Sequence, residues 1–138
     1  MKILALDIGD RWIGTAISDA LGITCRPYKT VEMVELELFL KQVIPDEKVE
    51  TIVIGYPKTL KGKESEQTKK IVDIKNKLEK QFNTVKWLLW DERLSSKRAQ
   101  EIIGRGRLSK EDKKKEHSIA AAFILQSYLD YKSIQKDY

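Results

Sequence analysis

Three carboxylates and one imidazole are the side chains here whose types and spacing could do chemistry. Asp7 lies near the end of the first apolar run, residues 2–9. A carboxylate in apolar surroundings is costly unless something meets its charge. A metal ion, a cation or a hydrogen-bond network could do so; the alternative is a structural carboxylate satisfied by the amides of the following turn. Asp91 and Glu92 follow a second apolar run, residues 85–90. Carboxylates gathered in one place repel one another unless a cation joins them. Mg²⁺ prefers oxygen ligands and keeps several waters, which suits one or two carboxylates plus a substrate phosphate. Two such ions ~4 Å apart can activate a water and stabilise the leaving oxygen of a phosphodiester. Side chains alternate along a strand, so Asp91 and Glu92 are expected to do different jobs. The sequence leaves open which of them faces Asp7. Either could instead cap the helix that follows, where negative charge is favoured.

The elements that must position these groups follow from hydrophobic period and turn residues. Residues 2–9 and 12–18 are apolar and β-prone, separated by Asp10-Arg11, and predict a hairpin. Gly14 inside the second strand suggests a bulge or a close backbone approach. A third strand is expected over 23–30, with Pro27 placing it near a sheet edge. Leu36, Phe39, Leu40 and Val43 have the spacing of an amphipathic helix that stops near Pro45. Residues 49–55 form a continuous apolar strand, which implies a sheet covered on both faces. A lysine-bearing loop over 56–62 leads to a helix with Ile71, Ile74, Leu78 and Phe82 as its inner stripe. A fifth strand over 85–90, expected to be central, contains Trp87 and Trp90, both expected in the core. A helix with Ala99, Ile102 and Ile103 inside, capped by Ser95 or Ser96, is expected next. A charged loop over 105–115 and a last helix over 117–131 complete the order, with Ala120, Ala121 and Ala122 allowing close approach to the sheet. The expected class is α/β: a mixed five-stranded sheet, an N-terminal antiparallel meander plus parallel strands, with helices on both faces. Sites in open α/β sheets gather at the carboxyl ends of strands, where Asp7 and Asp91-Glu92 both lie.

Composition narrows the function classes. The 138 residues suffice for one domain with a real core. Hydrophobic residues are 41% and charged residues 34%, a soluble globular balance rather than a disordered one. The net charge of +5 favours a polyanionic partner. No stretch approaches a membrane span, and the carboxylate at position 7 comes too early for a signal peptide. The single cysteine, Cys25, excludes an internal disulfide and a cysteine-based zinc site; it is expected to be a small core residue. Cytoplasmic residence is the default.

Taken together, Ala5-Leu-Asp-Ile-Gly9, Ile13-Gly14, Ser18-Asp19, Gly55-Tyr-Pro57 with Gly62, Asp91-Glu-Arg-Leu-Ser95 and His117-Ser-Ile-Ala-Ala-Ala122 with Ile124-Leu125 resemble the YqgF/RuvX family of Holliday junction resolvases and pre-16S rRNA processing nucleases. These segments span nearly the whole chain in the family's order. The resemblance implies one RNase H-like nuclease domain over 1–138 and phosphodiester cleavage with Mg²⁺ or Mn²⁺. It makes Asp7 and Glu92 expected metal ligands, with Asp91 a close competitor, and gives Arg93 a phosphate or a carboxylate to hold.

One departure stands out. The family usually begins the last helix with an acid, and this sequence has His117 there. His117 could ligate the ion, since imidazole accepts Mn²⁺ better than Mg²⁺. It could act as general base on the attacking water. Or the position has degenerated and Glu116, turned by ~100° on the helix, only partly substitutes.

Loops supply a candidate substrate surface. Lys58, Lys61, Lys63, Arg105, Arg107 and Lys113 to Lys115 could neutralise phosphates, and Tyr56 could stack on an unpaired base. The expected partner is RNA or branched DNA. A resolvase acting on a two-fold junction should be a homodimer; an RNA-trimming enzyme could be a monomer. Two alternatives are a catalytically degenerate nucleic-acid-binding module of the same fold and an ATP-binding protein of the sugar kinase and actin type. The second lacks room and a second glycine-rich phosphate motif.

Overall fold

The computed structural model describes residues 1–56, 66–91 and 110–136. The described strands are β1 (Lys2–Ile8), β2 (Trp12–Ser18), β3 (Cys25–Glu32), β4 (Val49–Tyr56) and β5 (Lys86–Asp91). They form one sheet in the order β3-β2-β1-β4-β5. β1, β2 and β3 are an antiparallel meander, whereas β4 runs parallel to both β1 and β5. A short 3₁₀ turn, Met33–Glu35, leads into α1 (Leu36–Asp46); α2 (Glu66–Gln81) and α3 (Lys110–Lys136) are the other described helices.

The alternation of side chains along the strands builds two cores. On one face Leu4, Leu6, Ile8, Ile13, Ile17, Ile52, Ile54 and Trp87 meet Leu36, Phe39, Leu40 and Val43 of α1 and Ile71 and Leu78 of α2. On the other, Ile3, Ala5, Ala16 and Val53 meet Ala121, Ile124, Leu125, Tyr128 and Leu129 of α3. The mixed sheet with helices on both faces is therefore as the sequence implies, down to the inner stripe of α1. The close approach of α3 is visible at Gly55, where a Cβ would stand 2.6 Å from Ile124 Cδ1.

Three sequence expectations need correction. α3 begins at Lys110, not at 117, so the described part of the expected loop over 105–115 is helical. Lysine and glutamate are good helix formers, and a charged run without Gly or Pro has nothing to stop the helix. β3 starts at Cys25 rather than 23, because Asp19 holds the turn before it. Its Oδ1 accepts the Ile23 and Thr24 N–H groups at 2.8 and 3.2 Å, and its own N–H donates to the Thr24 carbonyl at 3.0 Å. β5 is an edge strand of the described sheet, not a central one. The expected helix with Ala99, Ile102 and Ile103 and all but the first residue of the loop over 56–62 lie outside the described residues.

Candidate active site at the Asp7–His117 contact

Asp7 sits one residue from the carboxyl end of β1 and belongs to the same face as Ile3 and Ala5, the α3 side. Its antiparallel partner on β2 is Gly14. Where a side chain would normally fill the space beside Asp7, the backbone of α3 comes down onto the sheet. A Cβ on Gly14 would lie 1.9 Å from the His117 carbonyl oxygen and 2.6 Å from the Ser118 nitrogen. Both distances are impossible for a real side chain, so only glycine admits the helix at this height.

The helix presents His117 on its sheet-facing stripe, one and two turns before Ala121 and Ile124. His117 Nδ1 stands 3.8 Å from Asp7 Oδ2, with the side chains 35% and 16% exposed. The pair is thus sheltered but open to solvent. Gly9, just past β1, borders the imidazole: a Cβ there would be 3.3 Å from His117 Cε1 and 2.9 Å from the Trp12 carbonyl oxygen. The Gly9 N–H donates to that same carbonyl at 2.9 Å, closing the β1–β2 turn beside the ring.

The imidazole pKa is raised above its ordinary value. The Asp7 carboxylate is the main cause, as a hydrogen-bond partner and then as a charge; burial opposes the rise and Glu116 adds to it. At 3.8 Å the two atoms are beyond hydrogen-bond length. The attraction is therefore best understood as coulombic, at a separation that a small rotation would close.

Asp91 ends β5, level with Tyr56 of β4. Trp87 and Leu89 pack with the α1–α2 core, while Leu88 and Trp90 pack with the α3 core. Alternation therefore assigns half-buried Asp91 to the α1–α2 face, opposite Asp7 and two strands away, roughly 10 Å laterally. Tyr56 packs against that same α1–α2 core. Glu92, Arg93, Lys58, Lys61, Arg105 and Arg107 lie outside the described residues. Among the described residues, no three His, Cys, Asp or Glu side chains converge. A groove of about 590 Å³ between α1 and α2, lined by Met33, Leu36, Ile74 and Leu78, is separate from the Asp7–His117 contact.

Sequence reasoning gave no role to Arg11 and Trp12, which follow the Asp7 strand. The Arg11 guanidinium lies 5.1 Å from the Trp12 ring centroid and its side chain is 72% exposed. Trp87 and Trp90, expected in the core, do pack. Trp87 is buried, with its indole N–H donating to the Phe82 carbonyl at 2.9 Å. Trp90 stacks edge-on against Tyr128 at 5.4 Å and leans on exposed Tyr131 at 5.2 Å. Cys25 is half-buried against α3, its thiol 3.2 Å from the Ala122 carbonyl.

Known proteins resemble this chain in sequence and in fold. The model of the RuvX family, described as Holliday junction resolvase, matches residues 1–131. A protein named "Putative pre-16S rRNA nuclease" from Caldicellulosiruptor bescii is 40% identical over 135 residues, covering 95% of this chain and 97% of its own. One of the same name from Clostridium tetani is 40% identical over 138 residues, covering 94% and 96%. Among solved structures, T. thermophilus RuvC in complex with a Holliday junction substrate aligns over 96% of both chains with a TM-score of 0.59 at 11% identity. The Fowlpox virus resolvase in its Holliday junction DNA complex aligns over 99% of this chain and 98% of its own, with a TM-score of 0.51 at 12% identity. At such identities the likeness is one of fold, and that fold is RNase H-like. With a family model matched almost end to end and close relatives of full length, the chain belongs to the RuvX family.

Proposed function

We propose that this chain is a metal-dependent nuclease that hydrolyses phosphodiester bonds in structured nucleic acid, acting as one domain over residues 1–138. Its reaction is processing of pre-16S rRNA, at the 5′ end, or resolution of Holliday junctions; its relatives are named for pre-16S rRNA and its family for the junction. The observation that carries this is the Asp7–His117 contact at the carboxyl end of β1. It joins the first strand to the last helix of an RNase H-like sheet.

The donor set suits a divalent ion. Asp7 offers anionic oxygens, His117 a nitrogen 3.8 Å away, and both side chains are partly open. Two donors are too few for a closed site, as a metal that must also touch substrate requires. Asp7, Glu92 and His117 would hold Mg²⁺ or Mn²⁺, with Glu92 favoured over Asp91 because Asp91 belongs to the opposite face. When bound, the ion supplies charge neutralisation at the phosphate and a lowered pKa for the attacking water. Asp7 also attracts the imidazole. A small rotation would bring Nδ1–H to the carboxylate and leave Nε2 of the neutral ring as the acceptor atom, either as a ligand or as the base that takes a proton from water.

Arg11, Arg93, Lys58, Lys61, Arg105 and Arg107 would neutralise phosphates. Among the described residues no helix is long and apolar enough to cross a membrane; a cytoplasmic protein, monomeric or homodimeric, fits the function. The experiment is cleavage of a four-way DNA junction and of a 16S rRNA precursor with Mg²⁺ or Mn²⁺, comparing wild type with Asp7→Asn. Cleavage lost in the variant supports the proposal. Equal traces in both favour a second reading, a catalytically degenerate binding module, which His117 in the family's acidic position motivates.

A further inference from the structure

His117 can face Asp7 only if α3 is held at one height and one rotation over the sheet. The polar contacts farther along α3, Cys25 to the Ala122 carbonyl and Trp90 to Ser127 Oγ, lie more than a turn from His117. A polar contact fixes a point. Ser118, next to His117 and 5% exposed, has its Oγ 2.5 Å from Thr30 Oγ1 on β3.

Thr30 reaches the α3 face because β3 carries an extra residue. Gly14 pairs with Thr30 and Ala16 with Pro27, so two steps on β2 match three on β3. In an unbroken strand, residues 27 and 30 would point to opposite faces; one extra residue restores them to the same face. The bulge leaves Lys29 out of the ladder, and buried Thr15 takes its backbone groups instead. The Thr15 hydroxyl donates to the Lys29 carbonyl at 2.5 Å, and the Lys29 N–H donates to Thr15 Oγ1 at 2.9 Å. A side chain thereby closes the hydrogen bonds that the bulge opens.

We propose that Thr30 and Ser118 form a positioning clasp, aimed by the Thr15-sealed bulge, that sets the His117 imidazole against Asp7 and Gly9. Neither residue touches the reacting atoms; both act through the placement of His117. The clasp seats the helix directly over Gly14, at the point where His117 leaves it, so a slip of the helix moves the imidazole by the same amount. A displacement of an ångström in a catalytic group costs up to ~10²-fold in rate. The proposal gives His117 a role in the nuclease reaction only through the function proposed above, but the clasp itself can be observed without it.

The test is a set of variants of the full chain: Thr30→Val, Ser118→Ala, the double variant, and the hydroxyl-retaining Thr30→Ser and Ser118→Thr. Two quantities are read. The first is the NMR cross-peak between the Gly9 α-protons and His117 Hε1, which reports ring position directly. The second is kcat and KM for junction or RNA cleavage. The clasp predicts that Thr30→Val and Ser118→Ala weaken the cross-peak and lower kcat by roughly tenfold with KM unchanged. The double variant should be no worse than either single one, since both remove the same contact. Thr30→Ser and Ser118→Thr should retain both signals. If the hydroxyl-free variants lower the melting temperature but keep the cross-peak and kcat, the pair is only structural and the proposal fails. If the wild type cleaves nothing, the nuclease assignment fails while the cross-peak still decides the clasp.

Discussion

Asp7 and Gly14 face each other across the β1–β2 ladder, and the absent side chain of one decides what stands beside the other. Because Gly14 has no Cβ, the α3 backbone at His117–Ser118 rests on the strand, and the imidazole reaches the carboxylate from the side.

The consequence is testable at Gly14 itself. Gly14→Ala puts a methyl 1.9 Å from a backbone oxygen, where no rotamer offers relief. α3 must lift, at a cost of about 1–3 kcal/mol, the usual range for overpacking. Denaturant unfolding should show the loss, and cleavage should fall further than stability alone explains, because His117 moves with the helix.

His117 separates two chemical roles. His117→Ala should reduce cleavage by roughly 10²–10⁴-fold, the range for loss of an acid–base group. His117→Asp restores the acid usual in the family. If the imidazole is chiefly a ligand, this variant should stay active and shift its preference from Mn²⁺ toward Mg²⁺. If it is chiefly a base, the variant should lose activity with both ions. Parallel titrations of rate against each metal distinguish the outcomes.

Stability should depend on pH through the same pair. The folded-state pKa of His117 is raised, chiefly by Asp7, so the folded protein holds a proton that the unfolded chain releases earlier. The stabilisation is complete below the unfolded imidazole pKa of about 6.5 and is lost as pH rises through the raised folded value. Melting temperatures measured in chelator should therefore fall from pH 5.5 to pH 8 more steeply for wild type than for Asp7→Asn. Equal slopes would mean that the two groups are not coupled.

Much of this architecture was legible in the sequence. The hairpin, the α1 stripe and the continuous β4 run are local patterns, and burial enforced them. Gly14 was legible as a bulge or a close approach, and it proved to lie beside one and beneath the other. What escaped was non-local. That Thr30 points at Ser118 depends on an extra residue in β3, which no period-two count reveals. The early start of α3 was hidden because a run of charged helix formers reads as a solvated loop until a packed helix extends through it. The pairing of Asp7 with His117 was foreseen only through the family resemblance, since nothing local links the first strand to the last helix.

Cys25 offers a check on the packing of α3 against β3. Burial first, then the charges of Asp130 and Asp19, push its thiol up to about 11. Thiolate is the reactive form, so at pH 8 alkylation should be roughly 100-fold slower than in the unfolded chain. Timed labelling by iodoacetamide, read by mass spectrometry, measures this. Labelling at the unfolded rate would show that α3 does not cover the edge of β3.

The most direct test of the site is a Mn²⁺ titration followed by NMR. A paramagnetic ion held by Asp7 and His117 should broaden the resonances of Gly9 and the His117 ring first, at sub-stoichiometric metal. Resonances around Leu21, in the turn beyond the other end of β2, should stay sharp. Asp7→Asn should abolish the selective broadening. Uniform broadening across the protein, or broadening at Gly9 and His117 that persists unchanged in Asp7→Asn, would contradict a metal site built on this carboxylate.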